Sequence, residues 1–345
     1  MSAVNGSIGK RELRVGIVGA GIMGADHVQR ISTRTAGATV ASVVEPDRDR
    51  AMSVASTAPG AQPRVTLEDA LEHDDLDAVI IASPGPFHEA AVLTALDARV
   101  AILCEKPLTP SSEGSRRLVE TEMAADRARI QVGFMRRFDR EYVALRQLVE
   151  SRGAGELLLL HCAHRNPSTP PGYTESMLIT DSVVHELDIV PWLAGSPVVS
   201  VEVLRTRRNR RAPEGVSEPQ LVLLELANGV LAEVEISVNL GFGYQVTTEA
   251  VFEEGVAQIG RTAGLTLWSA GSARVAEHPG YVGRFVEAYD LEVQAWVNAA
   301  RRGGIGGPSA WDGYLAALAS EAAVEAQQSG RRVAVRSEAM PAFYG

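Results

Sequence analysis

The sequence has few cysteines, few aromatic residues and no excess of positive charge. Its two cysteines, Cys104 and Cys162, are too few for a disulfide framework. With 33 lysines and arginines against 43 aspartates and glutamates, the formal net charge of -10 repels phosphate backbones and anionic lipids. We therefore expect neither a nucleic acid nor a membrane as a partner.

Long apolar runs are also missing. No run reaches the roughly 18 residues that a membrane helix needs, and the N-terminal MSAVNGSIGKREL lacks the apolar core of a secretory signal. We expect a cytoplasmic protein. A length of 345 residues with 46% hydrophobic content predicts two globular domains.

The first part of the chain alternates short apolar strands with amphipathic helices. The alternation runs from LRVGIV at residues 13–18 to IQVGF at residues 130–134. Such a rhythm is typical of a parallel sheet covered by helices on both faces. We therefore predict an α/β fold, with a doubly wound Rossmann domain over residues 11–134.

The rest of the chain, residues 135–345, has several strands in succession with few helices between them. This pattern predicts an α+β domain with a large, open, mostly antiparallel sheet. The ANG segment at residues 227–229 separates two alternating runs and predicts a hairpin. Helices are predicted at residues 175–194, 283–301 and 309–328.

Three glycines follow the first strand directly. Gly19, Gly21 and Gly24 form a GxGxxG pattern, in which the turn, the close backbone approach and the helix packing each require a missing side chain. Because the pattern opens an alternating α/β run, dinucleotide binding is favoured over a merely structural glycine turn.

The second strand ends in an acid. Glu45 lies 21 residues after Gly24, where dinucleotide folds place the carboxylate that accepts the ribose 2'-hydroxyl. Such a carboxylate repels a 2'-phosphate, which favours NAD. Arg48 and Arg50 lie close by and could instead pair with that phosphate, so NADP stays open.

Lys106 follows a predicted buried strand within the segment CEKP. The carboxyl ends of parallel strands face the ligand in such folds, and an ammonium there can stabilise a developing alkoxide. A solvated surface lysine is an equally acceptable interpretation of the same spacing.

A second cluster lies on a predicted helix. Asp181, His185 and Asp188 are spaced i, i+4 and i+7, which places them on one helix face. An imidazole flanked by carboxylates suits general acid/base catalysis. The alternative is a surface ion pair or a satisfied buried histidine.

Polar residues also collect at predicted strand ends, where they could line a polyol pocket. His161 and His164 are three residues apart on one strand and therefore point to opposite faces, so a metal site is not expected. The cluster consists of His161, His164, Arg165, Asn166, Asn239 and Tyr244. The arginine-rich segment at residues 205–211 reads as a solvated loop or a subunit contact.

Six segments in this order resemble one family. The chain is similar, over residues 14–344, to the glucose-fructose oxidoreductase/inositol dehydrogenase (Gfo/Idh/MocA) family, and most similar to its inositol dehydrogenase branch. The segments are GAGIMG, CEKP, VGFMRRFD, HCAHRNP, DSVVHELD and SAWDGYLAAL.

The resemblance implies roles for the clustered residues. Lys106 would bond the reacting hydroxyl and His185 would act as general base, while Asp181 would orient His185 and touch the substrate. The resemblance also implies a cis Lys106–Pro107 peptide bond. The substrate-binding set would comprise Lys106, Arg136, His164, Asn166, Asp181, His185, Asp188 and Tyr244. The cofactor-binding set would comprise Gly19, Gly21, Ile22, Met23, Gly24, Glu45, Ser83, Glu105 and Lys106.

The reaction implied by the resemblance is the NAD-dependent oxidation of myo-inositol to 2-keto-myo-inositol, without a metal. The family also implies a homotetramer, or a homodimer, that assembles through the exposed sheet of the second domain. Alternatives are a dehydrogenase of scyllo-inositol, chiro-inositol or glucose, a non-catalytic NAD-sensing protein, and an NAD-dependent glycosidase.

Overall fold

The computed structural model describes residues 11–261 and 266–345, so the first ten residues of the N-terminal segment discussed above lie outside it. The chain divides into two compact units. The predicted domain boundaries, 11–134 and 135–345, stay predictions. The first unit comprises the described residues up to Glu105 together with Glu122–Gln131 and Val293–Gly307. The second comprises Lys106–Thr121, Val132–Glu292 and Pro308–Gly345.

The first sheet has, within the described residues, six strands in the order β3-β2-β1-β4-β5-β6. Pairing among the first five strands is parallel, as a doubly wound fold requires. The strands are β1 (Leu13–Val18), β2 (Ala38–Val44), β3 (Gln62–Arg64), β4 (Ala78–Ile81), β5 (Ala101–Glu105) and β6 (Ile130–Gly133). The helices between them are α1 (Ile22–Arg34), α2 (Arg48–Ala55), α3 (Leu67–His73), α4 (His88–Asp97) and α5 (Ser112–Met123).

The core of the first unit comes from strands that are apolar on both faces. Val15, Ile17 and Ile80 are fully buried, which explains why β1 and β4 read as continuous apolar runs. Trp296 and Val297, from a helix far along the chain, pack into the same core. The sequence pattern did not reveal this late contribution.

The second sheet has seven strands in the described part of the chain, ordered β12-β11-β7-β10-β9-β8-β15. β7 and β10 pair in parallel, and the other pairs are antiparallel. The predicted mostly antiparallel sheet is therefore confirmed. The strands are β7 (Leu157–Arg165), β8 (Val198–Arg205), β9 (Gln220–Leu226), β10 (Leu231–Ser237), β11 (Gln245–Phe252), β12 (Val256–Ile259) and β15 (Val333–Ala334). β13 (Thr266–Ser269) and β14 (Ser272–Val275) form a separate hairpin.

Four helices of the later chain are α6 (Arg140–Ser151), α7 (Val184–Ala194), α8 (Tyr281–Ala300) and α9 (Ala310–Ser329). The predictions of helices at 283–301 and 309–328 are confirmed. The helix predicted at 175–194 is regular only from Val184, because Leu178–Val183 forms a π-helical turn. Within the described residues, no helix has both the length and the hydropathy to cross a membrane.

The hairpin predicted at residues 227–229 connects β9 to β10. Gly229 adopts a φ of 87°, which a residue with a side chain rarely does, so a glycine is needed in this turn. Burial alternates along both strands, with Val222 and Val234 buried and Leu223 and Glu233 on the other, half-exposed face.

Candidate active site

The glycine loop between β1 and α1 has the space that a dinucleotide needs. Gly19 has a φ of 95°, and a Cβ there would lie 2.7 Å from the backbone nitrogen of Ser83. A Cβ on Gly24 would lie 1.8 Å from the carbonyl oxygen of Gly19. Around Gly21 nothing lies within 4 Å of a Cβ position. Gly19 and Gly24, which are crowded, shape the turn, and Gly21 leaves the backbone open to a phosphate.

The start of α1 faces the same space. Its N-cap is Gly21, so no side chain caps the first turn. Ile22 is 78% exposed and Met23 is half-buried. Helix N-termini attract phosphate groups through their backbone N–H groups and the helix dipole. The loop and the first turn of α1 therefore fit the pyrophosphate of a dinucleotide.

Glu45 is fastened to the glycine loop. Its carboxylate accepts hydrogen bonds from the backbone N–H groups of Ala20 at 3.0 Å and Asp47 at 3.2 Å. The guanidinium of Arg50 lies 3.3 Å from Glu45 and 3.5 Å from the carboxylate of Asp47. Because Arg50 is already paired with two carboxylates, the local charge favours a ribose hydroxyl over a 2'-phosphate.

Glu105, at the end of β5, has a partner that the sequence reading missed. Nε2 of the fully buried His27, on α1, lies 2.8 Å from its carboxylate. This contact holds Glu105 in place directly before Lys106. Ser83 lies after β4, and its carbonyl oxygen is bonded to the ring of His88 at 2.7 Å.

Lys106 belongs to the second unit and points at Asp181. Its ammonium donates to the carbonyl oxygen of Asp181 at 2.9 Å and to the carboxylate at 3.0 Å. The side chain of Lys106 is only 19% exposed, so the solvated surface lysine is excluded. The Lys106–Pro107 peptide bond is cis, as predicted.

His185 lies one turn further along the chain, in the first turn of α7, and is 8% exposed. Its Nδ1 is buried without a hydrogen-bond partner in the described residues. Burial, and then the positive charges of Lys106, Arg136 and His164, hold the pKa of His185 well below its usual range. The ring is therefore neutral at pH 7 and able to accept a proton.

The expected orienting contact between Asp181 and His185 is not what the structure shows. The carboxylate of Asp181 receives its hydrogen bond from Lys106, and among the described residues none joins it to His185. The π-helical turn at Leu178–Val183 contains Asp181, so the regular i, i+4 spacing assumed from the sequence does not apply.

Behind His185 lies a buried cluster of three side chains. Arg136 donates a hydrogen bond to Glu186, and Nδ1 of His164 lies 3.2 Å from Glu186 and 3.3 Å from Arg136. Burial alone would raise the pKa of Glu186, but the charges of Arg136 and His164 lower it to about 2. Arg136 and His164 were predicted from the sequence, and Glu186 was not.

Asp188 lies in a second buried ion pair. Arg137 donates to its two carboxylate oxygens at 3.0 and 2.5 Å, and to Asp312 on α9 at 2.9 Å. Burial raises the pKa of Asp188 to about 6 against the opposing pull of Arg137. Both oxygens of Asp188 are thus engaged within the protein, which the helix-face spacing could not show.

Tyr244 and Asn166 complete the predicted set. Tyr244 is buried and meets His164 edge-on with 6.0 Å between ring centroids, and burial raises its pKa to about 12. Oδ1 of Asn166 is buried without a partner in the residues described. A buried acceptor without a donor is costly unless a ligand or water supplies one.

Three features of the sequence lie elsewhere. His161 faces away from His164 and lies 3.7 Å from Glu233, and the described residues contain no cluster of three side chains suited to a metal ion. Asn239 accepts hydrogen bonds from Thr169. In the arginine-rich segment, Arg205 ends β8 and pairs with Glu175 at 2.9 Å, and the choice between a solvated loop and a subunit contact stays open.

Models of known families match both parts of the chain. The model of an oxidoreductase family with an NAD-binding Rossmann fold matches residues 13–134, and that of the GFO/IDH/MocA C-terminal domain matches residues 142–258. The chain belongs to the GFO/IDH/MocA family. The resemblance stated from the six sequence segments is therefore confirmed, as is the fold class.

Individual members of the GFO/IDH/MocA family resemble this chain over nearly its whole length. An inositol 2-dehydrogenase of Leifsonia xyli is 57% identical over 334 residues, 96% of this chain and 98% of that protein. The crystal structure of a myo-inositol dehydrogenase from Lactobacillus casei in complex with NAD(H) and myo-inositol has a TM-score of 0.92 at 33% identity, and covers 97% of this chain and 100% of that one. A scyllo-inositol dehydrogenase from Lactobacillus casei has a TM-score of 0.88 at 25% identity, covering 95% and 99% of the two chains.

Proposed function

We propose that this protein is an NAD-dependent oxidoreductase that oxidises myo-inositol to 2-keto-myo-inositol. The observation that carries the proposal is the pairing of Lys106 with Asp181 beside a buried His185 whose imidazole is neutral at pH 7. The relatives named for inositol oxidation, at up to 57% identity, support the choice of substrate.

The chain's own groups divide the work of alcohol oxidation. His185 takes the proton of the reacting hydroxyl on an imidazole nitrogen, which its neutral state allows. Lys106 donates a hydrogen bond to the same oxygen and stabilises the alkoxide that develops. NAD, when bound, would supply the acceptor for the hydride on the carbon that bears the reacting hydroxyl, and that carbon would become the ketone carbon.

Asp181 was expected to orient His185 and to touch the substrate, and only the first of these roles changes. Its carboxylate and carbonyl oxygen both receive the ammonium of Lys106, at 3.0 and 2.9 Å, and therefore fix where that ammonium points. The carboxylate is half-exposed and can also accept a hydrogen bond from a substrate hydroxyl. We assign Asp181 to positioning Lys106 and to binding the substrate.

The remaining hydroxyls of the ring need directional partners. Oδ1 of Asn166 is an unused acceptor, and the ring of His164 lies 6.3 Å from that of His185, centroid to centroid. We propose Arg136, His164, Asn166 and Tyr244 as further substrate-binding residues. Asp188 is the weakest member of the set, since Arg137 already occupies both of its oxygens.

The cofactor is held by the first unit. The glycine loop and the first turn of α1 would take the pyrophosphate and Glu45 would take the ribose, while Ser83 and Glu105, which follow β4 and end β5, would contact the cofactor further along. We propose residues 11–134 as the NAD-binding domain and residues 135–345 as the domain for substrate and assembly. The assembled protein would be a cytoplasmic homotetramer, with a homodimer as the alternative.

The test is the initial rate of NADH formation with myo-inositol, beside scyllo-inositol, chiro-inositol and glucose, each with NAD and with NADP. We expect the highest kcat/KM with myo-inositol and NAD. A preference for another polyol would replace the substrate and keep the reaction. If no polyol reduces either cofactor while NAD raises the melting temperature, the protein is an NAD sensor or an NAD-dependent glycosidase.

A further inference from the structure

His164 has a partner for Nδ1 in either protonation state. That nitrogen lies 3.2 Å from the carboxylate of Glu186 and 3.3 Å from a guanidinium nitrogen of Arg136. A carboxylate can only accept a hydrogen bond and a guanidinium can only donate one. With a hydrogen on Nδ1 the ring donates to Glu186, and without one it accepts from Arg136.

Glu186 contacts two of the three groups that lower the pKa of His185. Lys106, Arg136 and His164 each make protonation of the His185 imidazole less favourable. Arg136 and His164 are the partners of Glu186, which is almost fully buried and therefore little screened by water. Its negative charge offsets theirs next to the proton acceptor.

The titratable groups around this cluster come from every element that packs on α7. Asp181 lies on the turn before α7, and Arg137 and Asp188 form a separate pair with Asp312 on α9. Tyr142 on α6, Cys162 on β7 and Tyr244 directly before β11 are buried with raised pKa values, so all three are neutral at pH 7. Of these groups, Glu186 is the buried anion that contacts Arg136 and His164 directly.

We propose that Glu186 is a positioning residue of the active site, which acts through Arg136 and His164 to keep His185 able to accept a proton. The inference rests on the proposed function and deepens it. Glu186 need not touch the substrate. It fixes the ring of His164 and cancels a buried positive charge that would otherwise make a protonated His185 less stable.

The first experiment measures the pH dependence of kcat/KM for myo-inositol at saturating NAD in Glu186→Gln. Loss of the negative charge disfavours the imidazolium, so the acid limb should move to lower pH by about one unit. A weaker base also lowers the plateau, by about 10-fold to 100-fold. A lower rate with an unmoved acid limb would contradict the proposal and leave Glu186 a purely structural residue.

Matched variants control for charge and for folding. Glu186→Asp keeps the charge, so its acid limb should stay at the wild-type position even if its rate falls. Arg136→Met removes a cation, and its acid limb should move to higher pH. The double variant Arg136→Met/Glu186→Gln leaves neither member of this ion pair charged. Its acid limb should lie at lower pH than that of Arg136→Met. This comparison replaces the first experiment if Glu186→Gln does not fold.

A second readout does not depend on turnover. Proton NMR titration of the histidine rings in the NAD-bound protein, with the His185 signal assigned by its loss in His185→Ala, should give a lower pKa in Glu186→Gln. If wild type oxidises no polyol but this shift is present, the proposed function fails and the inference stands. An unchanged His185 pKa in an active enzyme overturns the inference alone.

Discussion

Lys106 and His185 are close in the second unit but contribute differently to alcohol oxidation. Lys106 is a cation in both the ground state and the transition state, held by Asp181 at 3.0 Å. His185 changes its charge during the reaction, because it begins neutral and ends protonated. A residue that must change charge is more sensitive to the groups around it than one that keeps its charge.

Replacement of the proton acceptor is the direct test at this scale. His185→Ala should lower kcat by about 100-fold to 10,000-fold, the usual value of a general base. The Kd for NAD, measured by thermal shift or by NADH fluorescence, should change little because the glycine loop and Glu45 lie in the other unit. Loss of NAD binding in this variant would place His185 in the cofactor site instead.

A matched control uses another histidine. His73 is exposed at the end of α3, and its Nδ1 lies 3.1 Å from the carboxylate of Asp69 on the same helix. His73→Ala should keep wild-type kcat and KM. If both variants lost activity to the same extent, the effect of His185→Ala would reflect lost stability and not a lost base.

At the level of elements, the turn Met135–Phe138 holds α7 by two ion pairs from consecutive arginines. Arg136 reaches Glu186, and Arg137 reaches Asp188. Arg136, Glu186 and Asp188 are almost fully buried, and the side chain of Arg137 is 14% exposed, so the buried charges depend on their partners. The helix that carries His185 is thereby fixed at two successive points.

Asp188 gives this arrangement a pH dependence. Its pKa is about 6 in the folded protein and about 3.9 for an ordinary aspartate. The folded protein therefore binds a proton at Asp188 more tightly than the unfolded chain does. A raised pKa contributes stability below the unfolded value that is lost as the pH rises to the folded value. The stability of wild type relative to Asp188→Asn should therefore fall between about pH 4 and pH 6.

Urea unfolding of the two proteins across this pH range measures the difference. Asp97→Asn, on an exposed position of α4, is the matched control, and its stability relative to wild type should stay constant. If the stability of Asp188→Asn relative to wild type were equally constant, Asp188 would be ionised throughout, and its pair with Arg137 would outweigh the cost of burial.

Periodicity predicted most of the elements and missed those that depend on distant contacts. β3 is three residues long and contains Pro63, so it leaves no alternating pattern. The end of α8 was recognised as helix, but its pattern cannot say that Trp296 packs beneath β1. The sequence shows which face is apolar and not which core it joins.

In the candidate site, too, the sequence predicted some residues and missed those that depend on distant contacts. Lys106 and His185 stood out because their residue types suit the chemistry and their motifs resemble a family. Glu186 did not, because an acid in a helix is ordinarily solvent-exposed. Its partner Arg136 lies 50 positions earlier in the sequence, and only the fold brings the two together.

For the whole molecule, the half-exposed face of the second sheet bears on assembly. Across the neighbouring strands β11, β7 and β10, one row of side chains on this face is Val251, Leu159 and Leu231, and the next row is Glu249, His161 and Glu233. Leu223 lies beside Glu233 on β9. Rows of leucine and valine next to charged residues are more typical of a subunit interface than of a surface that stays in water.

Assembly can be tested by substituting this face. Size-exclusion chromatography with light scattering should give wild type four times the mass of one chain, while Leu223→Arg should dissociate to a smaller species because it buries an unpaired charge at the interface. Met52→Arg, at an exposed apolar position of α2 in the first unit, should leave the mass unchanged. Since each subunit carries its own Lys106, Asp181 and His185, the dissociated protein should keep its kcat where it remains folded. A wild-type protein of monomeric mass would contradict the proposed assembly, and a Leu223→Arg protein of unchanged mass would move the interface to another surface.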